Sequence, residues 1–320
     1  MGKYILRRLL WMIPIILGVS VIVFSLMTVC PGDPAQIILG SSSTGAELEA
    51  MRETLGLNKP FLIRLGEFLS DTFIRFDLGT SWLTQADIKT DIMTRLPRTF
   101  ILTVAILSLS LLAGVPLGII AAINQGKLAD NVCMALSLLG AAMPNFWLAL
   151  LLIILFSVKL GILPSMGFEG FEYYILPALT GCAGGIATFA RQTRSSMLDV
   201  IRADYITTAR SKGVPEWQVI TKHALKNALI PVITIAGTYF GALLGGTMIT
   251  ETIFAIPGMG TFIITGVNNR DIPVIQAGAL FMSIVFSLCM LMVDLLYAVV
   301  DPRIKAQYEG KKRKVKKNAG

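Results

Sequence analysis

A chain of 320 residues in which 54% are hydrophobic and only 15% charged does not fit a soluble fold, because soluble domains carry about 25% charged residues. The 28 basic and 20 acidic side chains are too few to coat the apolar remainder, and mean hydropathy is +0.70. The composition specifies an integral membrane protein and leaves little polar sequence for a soluble catalytic domain. The net charge of +8 would suit a nucleic-acid partner only if the cations clustered for it.

A helix needs about 20 apolar residues to cross a hydrocarbon core of ~30 Å. Six stretches meet that length: Leu9–Val29, Thr99–Ile123, Val132–Val158, Ile175–Ala190, Leu229–Ile249 and Pro273–Val300. The fourth is short and glycine-rich (Gly181, Gly184, Gly185). Runs such as Leu148–Phe156 do not alternate apolar with polar residues, as barrel strands would, so the spans are helices. Lys3, Arg7 and Arg8 precede the first. Its apolar run is too long for a signal peptide and meets no small-residue cleavage site at Met27–Cys30, so it reads as a retained helix.

Placing the N-terminus in the cytoplasm brings the C-terminus back there and puts 19 of the 28 Lys and Arg on that side, as cytoplasmic loops require. Seven lie between Arg191 and Lys226, and eight lie between Arg303 and Lys317. Topology therefore accounts for the basic balance, and no nucleic-acid partner is expected. The chain divides into 1–29 (N-terminus and first span), 30–98 (an extracytoplasmic insert), 99–300 (a five-helix core carrying a cytoplasmic loop at 191–228) and 301–320 (a basic cytoplasmic tail).

The insert reads as two short amphipathic helices, Ala46–Leu55 and Phe61–Phe76, around the breaker Gly56–Pro60. It is either a lid or docking surface for an outer partner, or a folded brace for the helices. In the loop, Gly213 suits a helix C′ position, where positive φ is needed. Pro215 and Glu216 suit the first turn of a following helix. Two short helices with a tight bend are expected over 199–227. Such helices either lie on anionic lipid or dock a cytosolic partner.

Residues in this loop resemble the permease subunits of binding-protein-dependent ABC importers. The general Glu-Ala-Ala-x-x-x-Gly signature is reduced here to Thr207-Thr208-Ala209-x-x-x-Gly213. The peptide and nickel branch is matched more fully, by Asp204-Tyr205, Ala209-Arg210, Lys212-Gly213, His223-Ala224-Leu225, Asn227-Ala228-Leu229 and Pro231. Pro31–Pro34, Leu55–Leu57, Asp77–Ser81, Met143–Trp147, Thr193–Met197, Glu251–Phe254, Pro257–Gly260, Asn269–Asp271, Asp294–Tyr297 and Asp301–Ile304 extend the resemblance over nearly the whole chain. Their order is similar to that of the first permease of a pair, the one with the large outer loop.

The resemblance implies an all-α, six-span permease of the type I importer fold in the bacterial inner membrane. It implies a second homologous permease, two cytosolic ATPase subunits, an extracytoplasmic binding protein and a cargo of short peptides or of nickel, free or chelated. It places Asp204, Tyr205, Ala209, Arg210, Lys212, Gly213, His223 and Asn227 in the docking loop for the ATPase. This chain then binds no cofactor; ATP and magnesium are used by the partner subunits. No G-x-x-x-x-G-K-[ST] loop occurs in the sequence, and no catalytic residue is expected.

Gly237, Gly241 and Gly245 share one helix face and read as a packing seam against the partner permease or a neighbouring helix. Pro116, between Gly114 and Gly118, and Pro144 are expected hinges. Pro144, Asn145 and Asp294 are candidates for the translocation path; Asp294 either lines it or pairs with Arg303 or a helix end. His223 is the only histidine, so no histidine-based metal site is expected. The four cysteines read as small apolar residues with no disulfide, and Lys311–Lys317 reads as a tail drawn to anionic lipid. The competing class is an ion-coupled secondary transporter, which would need more buried charge than the spans offer. An intramembrane enzyme lacks a converging His, Cys or carboxylate pair.

Overall fold

The computed structural model describes residues 2–29, 32–40 and 42–300, with side chains left out at 2–5, 294 and 296–300. Cys30, Pro31, the tail 301–320 and the Asp294 side chain lie outside the described residues.

Helices account for the described elements, apart from an isolated bridge between Thr80 and Asp87. Near the N-terminus are α1 (Gly2–Val29), α2 (Pro34–Leu39), α3 (Gly45–Thr54) and α4 (Phe61–Ser70), which runs on as a π turn to Arg75. The core continues with α5 (Ile88–Ile123), α6 (Leu128–Ala142), α7 (Asn145–Leu152), α8 (Ile175–Ile201) and α9 (Asp204–Ser211). The short α10 (Glu216–Gln218) passes through a π turn into α11 (Leu225–Gly246). The last elements are α12 (Met248–Ile253), α13 (Met259–Asn269) and α14 (Ile272–Val300).

Among the described residues, five helices are long and apolar enough to cross a membrane, and six if α6 with α7 and its π extension counts as one span. That third span departs from expectation: Val132–Val158 is not one rod but two helices bent by 97°. The break falls at Met143–Pro144, where Pro144 takes φ −59 and ψ 133. A proline disfavours the helical region in the residue before it, and Met143 is extended accordingly, at ψ 127.

Two further boundaries are corrected. The second span is preceded by eleven helical residues, 88–98, and the fourth helix runs past Ala190 to Ile201. The region Trp217–Asn227 is not a separate short helix: Glu216–Gly246 is continuous. Between α11 and α14, two helices unforeseen from the sequence, α12 and α13, are present. Short α2 was also missed, although Asp33 caps it through the Ala35 N–H at 3.0 Å and Pro34 begins it, a legible start signal.

The chain folds as two units. One comprises residues through Ile101 with Gly245–Ser287; the other comprises Leu102–Leu244 and the helix from Leu288 on. In the first unit, Ile88, Ile92, Met259, Phe262, Val274 and Ala277 form a buried cluster. In the second, α5 and α8 are zipped by small residues. A β-carbon at Gly114 would lie 2.8 Å from the Ile186 carbonyl oxygen, and one at Gly118 2.6 Å from the Thr193 β-carbon. In return, one at Gly181 would meet Ile106 at 2.5 Å, and Gly185 abuts Ser110. These reciprocal gaps let the two backbones approach. Gly114 and Gly118, read from the sequence as flanking a hinge at Pro116, are a packing seam, and α5 continues unbroken through Pro116.

Candidate functional site

The segment from Arg202 to Asn227 is built as an exposed polar ridge on an apolar foot. In α9, Ile206 is fully buried and Ala209 is 9% exposed, three residues apart on one face. They pack with Ala122 of α5, Met197 of α8, and Val219, Ala224 and Ala228 of the α10–α11 helix. One short helix is thereby seated on the ends of three long ones. Its other face presents Asp204, Tyr205, Thr207, Thr208, Arg210 and Ser211 to the surroundings.

The bend after α9 has a definite chemistry. Gly213 takes φ +76 and donates its N–H to the Arg210 carbonyl at 2.9 Å, while Val214 donates to the Ala209 carbonyl at 3.3 Å. That pair of bonds is the Schellman arrangement, which satisfies terminal carbonyls and needs a left-handed residue at C′. Val214, the residue after the glycine, packs against the same apolar foot as Ala209.

Two polar contacts then tie the two sides of the bend, Arg210 with Glu216 and Tyr205 with Asn227. Arg210 donates twice to the Glu216 carboxylate, from Nη2 at 2.7 Å and Nε at 3.1 Å. This pairing raises the Arg210 pKa through the hydrogen bond to Glu216. Asn227 donates from Nδ2 to the Tyr205 hydroxyl at 2.8 Å and more weakly to the His223 carbonyl. Lys222 lies 5.7 Å above the Trp217 ring, and Trp217 is 60% exposed. Lys212, Gly213 and His223 are exposed. Arg210, which the resemblance places in the docking loop, has its guanidinium engaged within that loop by Glu216.

A further clamp holds the platform. Asp130, 2% exposed at the start of α6, accepts from Arg194 Nε at 2.6 Å, from Nη2 at 2.7 Å, and from the Gly126 N–H at 3.0 Å. Bidentate pairing fixes the α6 start against α8, the helix that ends at α9. Sequence reasoning missed this pair because 64 residues separate its partners.

With this geometry the comparisons fall into place. The profile described as "Binding-protein-dependent transport system inner membrane component" matches residues 114–306, and that of the N-terminal region of such components matches residues 1–103. The chain belongs to this family. It is a transport permease, a multi-pass protein of the inner membrane, and not itself an enzyme.

The relatives agree. A dipeptide transport system permease of Alkalihalophilus pseudofirmus is 40% identical over 95% of this chain and all of that protein. A glutathione transport system permease of Pectobacterium atrosepticum is 42% identical over 95% and 99%. A peptide transport system permease of Brucella abortus, itself named putative, is 40% identical over the same shares. Among solved structures, the inward-facing MetNI methionine ABC transporter aligns with TM-score 0.57 at 19% identity, over 66% of this chain and 96% of that one. The all-α importer permease fold is therefore shared.

The remaining candidates of this permease are not gathered into one site. Pro144 and Asn145 are exposed at the sharp bend. In the proposed glycine seam, Gly237 lies hard against Val293 of α14, Gly241 is buried, and Gly245 is exposed with nothing of this chain within 4 Å of where a β-carbon would sit. The bare face of Gly237 also borders an apolar cavity of about 240 Å³ with Leu107, Phe240, Cys289 and Met292.

Two pairs of family motifs acquire a structural role that no spacing revealed. Glu251 is completely buried. It accepts from the Thr99 hydroxyl at 2.7 Å, the Thr247 hydroxyl at 3.1 Å and the Thr261 N–H at 3.0 Å. Thr99 in turn accepts from the Met259 N–H at 2.8 Å. The carboxylate thus sits at the positive end of α13. Gly258 and Gly260 make room for it, since a β-carbon at either would come within 3 Å of its carboxylate group. Likewise Asp271, 4% exposed, accepts from the Ser81 hydroxyl at 2.5 Å and the Trp82 N–H at 3.1 Å. The Asp77–Ser81 and Asn269–Asp271 motifs thereby meet.

Proposed function

We propose that this permease pairs with a second, homologous permease to form the path for short peptides, and that two separate ATPases drive it through α9. In this reading both termini are cytoplasmic, and a binding protein delivers the peptide from the opposite side. The cargo class follows the dipeptide and glutathione relatives, which share about two-fifths of their residues with this chain along its length. A nickel complex of similar size is a second possible cargo, carried by the sequence motif alone.

The observation that supports α9 most directly is the contrast between its faces. Ile206 and Ala209 are sunk into the ends of α5, α8 and α11, while Asp204, Thr207, Thr208 and Ser211 stand outward. A partner pressing on that ridge moves three long helices through one rigid foot. The path residues Pro144, Asn145 and Asp294 are carried into this proposal as positions to probe.

The test is reconstitution of this chain with its partner permease, ATPases and binding protein in vesicles. Uptake of a labelled dipeptide, or of glutathione, should require ATP and the binding protein. Uptake by this chain alone, driven by a proton or sodium gradient, would sink the proposal in favour of an ion-coupled carrier.

A further inference from the structure

Helix α4 carries an apolar face that no other described part of its unit covers. Leu62 is 76% exposed and Ile63 52%. Ile74 in the π turn and Phe76 just after it are 75% and 76% exposed. Four large apolar side chains left open within fifteen residues need a partner, and the helix on which α4 rests identifies it.

That helix is α1. Arg8 is the last charge before a run to Val29 that holds no charged residue and is mostly apolar. Phe24 lies sixteen residues beyond Arg8, which is about 24 Å along a helix rising 1.5 Å per residue. The hydrocarbon core is ~30 Å thick, so Phe24 belongs to its far half, inside the boundary. Yet Phe24 is only 4% exposed, and α4 is what covers it. Phe61 meets its ring edge-on at 5.5 Å, Phe68 stacks at 5.6 Å, and the Arg64 guanidinium lies 5.7 Å from the same centroid. Contacts of this kind fix α4 at the depth of Phe24.

The side of α1 turned away from Phe24 is open as well: Ile22, Leu26 and Val29, more than a third of a turn around the helix from it, are exposed. The uncovered face of α4 therefore lies at the depth of a span that is itself apolar and open on its far side. Its polar groups suit the same place. Lys59 and Glu67 neutralise each other at 2.6 Å, and Arg64 has the length to carry its head toward water while its stem lies on Phe24.

We propose that α4 and the π turn after it are seated in the lipid bilayer. Leu62, Ile63, Ile74 and Phe76 enter the acyl boundary of the leaflet opposite the N-terminus. The insert is then anchored in lipid through α4, as amphipathic interfacial helices are.

The test uses the assembled transporter in phosphatidylethanolamine–phosphatidylglycerol vesicles. An environment-sensitive fluorophore is attached at Leu62→Cys or Ile74→Cys, with Glu53→Cys in α3 as the control, and the native cysteines replaced by alanine. Lipids bearing a nitroxide on the acyl chain should quench the Leu62 and Ile74 labels severalfold more than aqueous iodide does, and the Glu53 label should behave oppositely. Quenching of Leu62 by iodide would place the face in water. Protection from both quenchers would mean that a protein covers it; either result overturns the proposal. If the cysteine-free protein does not assemble, Leu62→Glu with Ile63→Glu in the full chain gives a second reading. Trypsin cleavage after Arg64 in vesicles should rise severalfold, and unchanged cleavage counts against lipid anchoring.

Discussion

The Glu251 cluster and the α9 segment use polar residues in opposite ways. Around Glu251 the charge is inside: a carboxylate with no exposure gathers two hydroxyls and one backbone N–H, and glycines line its cradle. Around α9 the apolar residues are inside and the polar ones face out. A buried charge whose partners all belong to the same chain has nothing left to offer another protein. It fixes loop geometry. An exposed ridge on an apolar foot leaves polar groups available to a partner while its packing holds it in place. The contrast separates architecture from contact surface where both carry family motifs.

Four substitutions would break or sharpen this contrast. Glu251→Ala should have the largest effect. It strands several buried donors, each costing about 1–3 kcal/mol. The permease should lose about 4 kcal/mol, read as a large drop in thermal unfolding temperature in detergent, while Glu251→Gln loses less. A small shift for the alanine variant would mean that the carboxylate is not structural.

Ile206→Ala comes next. Truncating a buried isoleucine costs about 3 kcal/mol, and here it loosens the foot of α9. Unfolding temperature and ATPase co-purification should fall together. Gly213→Ala forces a β-carbon into a positive φ at a cost of about 1 kcal/mol, and Gly213→Pro also removes the N–H given to Arg210. Both should weaken ATPase retention while membrane insertion, followed by fractionation, stays normal. Arg210→Ala should be smallest in stability, within about 0.5 kcal/mol, because its bond to Glu216 is solvent-exposed and such pairs contribute little. ATPase co-purification should nevertheless decline. A variant that unfolds, or one that retains the ATPase fully, would remove Arg210 from the contact surface.

Much of the fold was readable before any coordinates. Six apolar stretches marked the places where helices cross lipid, and Gly213 announced its own left-handed bend. Helix ends were not readable. Residues 88–98, 191–201 and 216–224 are helical, yet they carry the polar composition of a loop. Hydropathy reports where lipid stops, whereas a helix continues as long as packing and hydrogen bonds support it. In the segment 202–227, the exposed residues were recognised by motif, but their burial pattern was not. Ile206 differs from the equally apolar Trp217 only in what lies against it.

By itself, then, the sequence determined that this is a membrane protein of about six spans with its cations gathered in one loop and a tail. Length of apolar run and charge are local properties, written residue by residue. Only the tertiary structure decided that Gly114 and Gly118 are a seam and not a hinge. It also decided that Arg210 is paired, that Asp130 holds Arg194, and that Glu251 closes on Thr99. Each of these depends on which residues are brought together, and except for Arg210 and Glu216 the partners lie tens to more than a hundred positions apart. Contacts over such distances are set by how helices pack, and no spacing along the chain records them.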